Sequence, residues 1–218
     1  MVKQERAART RRSLIQAAAE VFAEQGFVPA SLGAISKRAG VSNGALHFHF
    51  ANKNMLAEAV ETEAAEAVRR LTEAARARQG NSLQSVVDAT HDLMRSLLQD
   101  AIVRGGFELA GDMQRRTKSP LRSEWRQWVE DSLRAAQRAG VLAEGVSAAE
   151  AARVVVAATV GLEVLGGADP SWLSRQNVTR FWEMLLPRIA DRRRLGTLVC
   201  AGSRPPAAPS ESAPGQSQ

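Results

Sequence analysis

Apolar residues recur at intervals of three and four along most of this chain, the spacing of one face of an α-helix. Leu14, Ala18, Val21 and Phe22 form the first such stripe and predict a helix over about residues 7–25, closed by Gly26. Ser31 stands where it can cap a short helix carrying Leu32 and Ile35, with Gly40 just past its end. Ser42 caps a third, still shorter segment. After Ala51-Asn52 a long helix runs from Lys53 to about Arg78, with Leu56, Val60, Val68 and Leu71 on one face.

Gly80-Asn81-Ser82 punctuates the pattern before a strongly amphipathic run through Leu83, Val87, Met94 and Leu97. A weaker helix around Ile102 to Met113 leads into a polar loop, Gln114 to Ser119, and Pro120 opens the next helix as its first residue. That helix carries Trp125, Trp128, Val129 and Leu133 and ends at Gly140. Ser147 caps a stretch that is apolar nearly all round until Gly166-Gly167, and a helix apolar on every side must be covered on every side. Trp172, Phe181, Trp182, Leu186 and Ile189 mark a last helix, bent or ended near Pro187. No stretch alternates with period two, so no sheet is expected. The pattern predicts an all-α protein: a three-helix head over 1–52, an antiparallel helical body over 53–195 and a disordered tail over 196–218, richest in Pro, Ser, Ala and Gly from Ser203 onward.

Composition narrows the possibilities. The chain has 218 residues, 44% of them hydrophobic, enough for a buried core. Its lone Cys200 can form neither an internal disulfide nor a multi-thiolate metal site, and suits a reducing cytoplasm. No apolar run approaches the ~20 residues a bilayer needs, and Met1 to Arg6 lack the apolar stretch of a signal peptide, so no membrane partner is expected. The net charge of +6 is unevenly spread. Residues 1–53 hold eight basic side chains (Lys3, Arg6, Arg9, Arg11, Arg12, Lys37, Arg38, Lys53) against three acidic ones (Glu5, Glu20, Glu24). A basic first quarter on a balanced body suggests a nucleic-acid-binding head.

The segment Ser31 to Phe50, SLGAISKRAGVSNGALHFHF, is two short helices joined by Gly40-Val41-Ser42, the form of a helix-turn-helix. At 100° per residue, Asn43, Gly44, His47 and Phe48 share one face of the second helix, and the other face is mostly apolar packing surface. Asn and His can bond base edges or phosphates, Phe48 can touch a thymine methyl, and Gly44 lets the backbone come close. The basic arm with Arg9 can reach phosphates or a minor groove, and Lys53 begins the next helix where a phosphate could be met.

Arg9-Thr10-Arg11 followed by AAAEVFAEQGF and SLGAISKRAGVSNGALHFHFANKNML resembles the N-terminal domain of TetR-type transcriptional repressors, densely over about residues 5 to 60. Within that family the chain looks like the γ-butyrolactone receptor group of actinobacterial regulators, and GALHFHFANK with WLSRQNVTRFWEMLLPRIA is most like the pseudo-receptors. The resemblance implies a two-fold dimer of about nine helices per chain, with a DNA-binding head and a ligand-binding body. Carried over by position, the DNA contacts come from Ser31, Ser42, Asn43, Gly44, His47, Phe48, His49 and Lys53. Two positions depart from the common pattern: His47 replaces a Tyr, and Asn43 a Lys, so operator preference is where this chain is expected to differ.

The resemblance also implies a mostly apolar effector cavity. Trp125 matches the Trp that butyrolactone receptors place against their ligand, and helix faces add Val87, His91, Met94, Phe107, Trp128, Val129, Thr159 and Glu163. Val155, Leu162, Trp172, Phe181, Trp182 and Leu186 supply more apolar surface than one small helical layer can hide, which fits an obligate homodimer interface. A dimer explains how a short recognition helix gains specificity, by reading both halves of an inverted-repeat operator in double-stranded DNA. The effector would be a γ-butyrolactone-like signal, or an antibiotic or its precursor. No catalytic residues, metal site or cofactor are expected: there is no Gly-rich phosphate loop, and His47 and His49 point about 160° apart on a helix. The other readings are a helical module whose basic arm binds an acidic partner without reading DNA, and a repressor with no small-molecule effector.

Overall fold

The computed structural model describes residues 2–78, 80–112 and 120–203, with side chains from residue 4 onward. Ten α-helices and one 3-10 turn, with no strand among the described residues, follow in order: α1 (Val2–Gln25), α2 (Leu32–Ala39), α3 (Asn43–His49), α4 (Lys53–Ala77), α5 (Ser82–Gln99), α6 (Ala101–Gly111), α7 (Leu121–Arg138), α8 (Ala148–Ala168), the turn Pro170–Leu173, α9 (Arg175–Ile189) and α10 (Arg192–Leu195). Caps set most of these starts. Asn52 Oδ1 accepts from Met55 N–H at 2.9 Å, and Ser147 Oγ accepts from Glu150 N–H at 3.4 Å.

Several boundaries differ from those read off the pattern. The basic arm is not a free arm: α1 begins at Val2, so Arg6, Arg9, Arg11 and Arg12 lie on the helix that buttresses the motif. Pro120 stands at the N-cap of α7, one residue before the helix, and Pro187 lies inside α9, which continues to Ile189. Met113 and the loop Gln114 to Ser119 lie outside the described residues, as does the chain after Ser203.

The expected tail is also corrected at its start, because residues 196–203 fold back onto α5. Val199 N–H donates to Gln84 Oε1 at 2.8 Å, and Ser203 N–H donates to Asp88 Oδ1 at 2.7 Å. His91 Nε2 sits 2.9 Å from the Cys200 carbonyl. Backbone donors and acceptors of this strap therefore find partners on one face of α5, which a polar composition does not foretell.

Two apolar clusters divide the molecule, and the division falls inside α4 rather than at residue 52. Leu56, Ala57 and Val60 join Leu14, Ile15, Phe22, Ile35 and Leu46 in the head core, while Ala64, Ala65 and Val68 belong to the body core. α6 lies against both α1 and α4, and its Gly105 and Gly106 permit the close approach. α8 is corrected in another respect: at 21 residues, with mean hydropathy 1.5 in its most apolar stretch, it has the length and composition of a bilayer-crossing helix. Here it packs on α7, burying Ala151, Ala152, Val155 and Thr159, and leaves Val154, Val164 and Leu165 exposed. The protomer covers only one of its apolar sides.

Candidate nucleic-acid interface and effector cleft

The head is held by short-range chemistry. Ser31 Oγ accepts from Ala34 N–H at 3.1 Å and Ser42 Oγ from Ala45 N–H at 3.2 Å, so both hydroxyls cap helices and keep their own protons free to donate outward. Between the two helices Gly40 adopts φ 68, a left-handed turn that disfavours any residue with a Cβ. Arg38 forks onto Glu24 with two 2.8 Å bonds and reaches Glu20 at 3.4 Å, pinning α2 to α1. That fork lowers the Glu24 pKa and raises the Arg38 pKa.

On α3, Asn43, Gly44, His47 and Phe48 are exposed together, and Leu46 is buried beneath them. Phe48 is 81% exposed, an unusual position for so large an apolar side chain at the tip of a basic head. A Cβ on Gly44 would meet nothing nearer than Ser42 Oγ at 3.9 Å, so packing within the protomer does not require glycine there. His49 is half-buried, edge-on to Phe48 with ring centroids 5.2 Å apart.

Lys53 departs from the expected role. Its ammonium donates to the carbonyls of Phe27, Val28 and Ala30 at 2.8, 3.1 and 2.8 Å and lies 4.4 Å from the Phe27 ring centroid. All three ammonium protons have protein partners, so the side chain closes the α1–α2 loop rather than facing outward. Arg38 is likewise spent on acids, and Arg11 leans over the Phe50 ring at 5.4 Å and reaches Glu63 at 4.0 Å. Arg6, Arg9, Arg12 and Lys37 remain exposed. Ser36 went unnoticed in the pattern; it is buried in α2 and its hydroxyl bonds the Asn43 side chain at 2.5 Å. A polar residue seven positions before the recognition face, inside an otherwise apolar stripe, was the available signal.

The nine residues expected around one effector cavity are scattered. Val87, Met94, Phe107, Trp125, Val129 and Thr159 are buried in the body core, and none of the described clefts is lined by Val87, Met94, Val129 or Thr159. His91 lies under the C-terminal strap, where burial lowers its pKa. Glu163 takes two 2.9 Å bonds from Arg122, and burial raises its pKa against the pull of that guanidinium. Trp125 and Trp128 stay together, stacked with centroids 5.5 Å apart, and Trp125 Nε1 donates to Thr159 Oγ1 at 3.0 Å. Their outer edge borders a cleft of about 410 Å³ between α4 and α7, where Thr72, Arg69 and Arg76 face them and Arg76 lies over the Trp128 ring at 5.4 Å. The expected interface residues divide too. Val155, Trp182 and Leu186 are fully buried inside the protomer, Leu162 and Phe181 are half-buried and Trp172 is exposed. The uncovered apolar surface instead includes Val154, Val164, Leu165 and Met184.

Residues 14–60, the stretch that folds into this head, match the family described as bacterial regulatory proteins, tetR family. Over 195 residues the chain is 31% identical to the A-factor receptor protein of Streptomyces griseus, covering 87% of this chain and 67% of that one. The chain belongs to the TetR family. A solved γ-butyrolactone receptor (ArpA-like protein) superposes with TM-score 0.76 at 30% identity, covering 90% of this chain and 96% of that one. The TetR-family protein CprB from Streptomyces coelicolor, solved with its operator sequence, gives TM-score 0.75 at 29% identity over 88% and 94% of the two chains. Within the TetR family the chain falls in the γ-butyrolactone receptor group, and it is a DNA-binding transcriptional regulator.

Proposed function

We propose that this regulator is a repressor that binds an inverted-repeat operator as a two-fold homodimer in the cytoplasm and leaves it when a small, mostly apolar effector binds the body. The observation that carries the reading is the course of α4: its first half is built into the head core, and its second half forms one wall of the Trp125–Trp128 cleft. A molecule wedged between α4 and α7 bears on the helix that holds the recognition head. The DNA face comprises Arg9, Ser31, Ser42, Asn43, Gly44, His47 and Phe48, with His49 behind it. The exposed Val154, Val164, Leu165 and Met184 give a second copy an apolar surface to cover. The names of its relatives favour γ-butyrolactone-like signals as effectors; a pseudo-receptor character favours an antibiotic or precursor, and with it a role in antibiotic biosynthesis.

Releasing operator 100-fold requires the effector to bind the DNA-free arrangement better by about 2.7 kcal/mol. Selection of bound sequences from random duplexes, followed by a screen of lactones and culture extracts for release, tests the whole reading. The expected result is an inverted repeat with half-sites about 34–36 Å apart and at least one releasing compound. Weak, sequence-independent binding at every salt concentration would refute operator recognition. Specific binding that no compound releases would instead mark a repressor without an effector.

A further inference from the structure

Ser36 and Asn43 meet across the turn of the helix-turn-helix, and their contact decides which atoms of Asn43 reach the DNA. Ser36 Oγ lies 2.5 Å from Asn43 Oδ1 and 3.0 Å from the Gly33 carbonyl. A hydroxyl has one proton, so it serves one of these acceptors. Of the two acceptors the Asn43 oxygen is the nearer, at 2.5 Å against 3.0 Å. The Asn43 atom that faces Ser36 is the carbonyl oxygen Oδ1, within the O–H···O range of the hydroxyl. Ser36 is 5% exposed, which keeps water from competing for that bond.

Asn43 itself is exposed on the recognition face. With Oδ1 turned inward, what remains outward is its NH2 group. We propose that Asn43 meets operator DNA only as a hydrogen-bond donor, and that Ser36 is the positioning residue that makes it so. Asparagine ordinarily reads adenine with both ends of its amide, accepting from N6 and donating to N7. The Ser36 bond holds the accepting oxygen toward α2, so that half of the amide is not the one presented to the groove. Asn43 is thereby excluded from the two-bond adenine contact and from the N4 amine of cytosine. It is directed to acceptors: a purine N7, guanine O6, thymine O4 or a phosphate oxygen. This inference rests on α3 being the recognition element.

The test uses the full-length protein and an operator obtained by selection, carrying single-atom changes in the DNA. Acceptors are deleted with 7-deazapurines, 2-aminopurine for guanine, 5-methyl-2-pyrimidinone for thymine, or a methylphosphonate. Donors are deleted with purine for adenine or 2-pyrimidinone for cytosine. Each duplex is titrated with wild type and Asn43→Ala. One acceptor deletion should cost wild type about tenfold in affinity and Asn43→Ala less than twofold, and the base and methylphosphonate arms tell an edge contact from a phosphate contact. No donor deletion should show that coupling. A coupled donor deletion overturns the proposal. If Asn43→Ala binds operator as tightly as wild type does, Asn43 makes no DNA contact and the recognition-face reading of this residue has failed. Ser36→Ala should free the amide, so that purine-for-adenine begins to cost affinity at the Asn43 position; an unchanged coupling pattern removes Ser36 from the positioning role. Asn43→Asp keeps the acceptor for Ser36 and deletes the donor without touching the α2 core. It should bind operator no better than Asn43→Ala, and wild-type affinity in this variant overturns the proposal.

Discussion

Gly105 of α6 lies so close to Ala19 of α1 that a Cβ built on it would stand 2.5 Å from the Ala19 carbonyl oxygen and 2.9 Å from its Cα. The obstacle is backbone, which cannot swing aside as a side-chain tip can. On the adjacent position, a Cβ at Gly106 would meet Ala64 Cβ of α4 at 2.3 Å. Head and body are thus joined through a helix that touches both at near-minimal separation. Gly105→Ala should destabilise the protein by about 1–3 kcal/mol through overpacking, read from urea unfolding at fixed protein concentration. Unchanged stability would mean that α1 and α6 separate without cost.

Lys53 separates a structural cation from a DNA-binding one. Its ammonium serves three carbonyls of the loop between α1 and α2, so Lys53→Met should lower stability by about 1.5–3 kcal/mol, as expected for bonds to a charged group. The dependence of operator affinity on salt should stay as in wild type. Arg9→Ala should behave in the opposite way, with little change in stability and a salt slope smaller by about one. A flatter salt slope in Lys53→Met would show that the side chain leaves its carbonyls for a phosphate.

What the chain discloses in advance depends on how far its contacts reach. Ser31, Ser42, Asn52 and Gly40 act within four residues of themselves, and the helix starts and the motif turn were legible from them. Lys53 bonds carbonyls 23 to 26 residues back, and Gln84 meets Val199 across 115 residues. No local pattern announces either contact. A periodic stripe also says that a face is apolar without saying which neighbour covers it. Trp182 and Leu186 share such a stripe yet are buried within the protomer, while Met184 of the same helix is left outside. The effector residues show the same limit. Val87, Met94 and Val129 were legible as inward, and they lie in the body core and line none of the described clefts.

His91 links acidity to the strap. Burial is the largest influence on its pKa and lowers it, with Arg175 adding to the effect and the Cys200 carbonyl, Asp88 and Asp92 opposing it. A histidine with a lowered folded-state pKa binds a proton more readily when unfolded. Its contribution is therefore absent above the ordinary range near 6.5 and becomes a loss of stability as pH falls from there toward the folded-state value. Thermal unfolding between pH 7.5 and 5 should show this loss in wild type. His91→Gln keeps a donor for the Cys200 carbonyl without a titrating ring, and should flatten that part of the profile. Equal slopes in the two proteins would remove His91 as the source.

Trp125 and Trp128 stack on each other yet call for different readouts. Trp125 is buried to 1% exposure and its indole N–H is bonded to Thr159, so Trp125→Ala should cost about 3–5 kcal/mol and blur any measurement of effector response. Trp128 is half-buried at the cleft, under the Arg76 guanidinium, and its indole N–H has no hydrogen-bond partner among the described residues. Its removal takes away cleft wall more than core. Trp128→Ala should therefore unfold less than 2 kcal/mol below wild type, bind operator within a factor of two of it, and require at least tenfold more effector for half-release. Release at the wild-type effector concentration would place the effector outside the α4–α7 cleft, and the Arg122–Glu163 cleft between α6 and α8 would then be the next to probe.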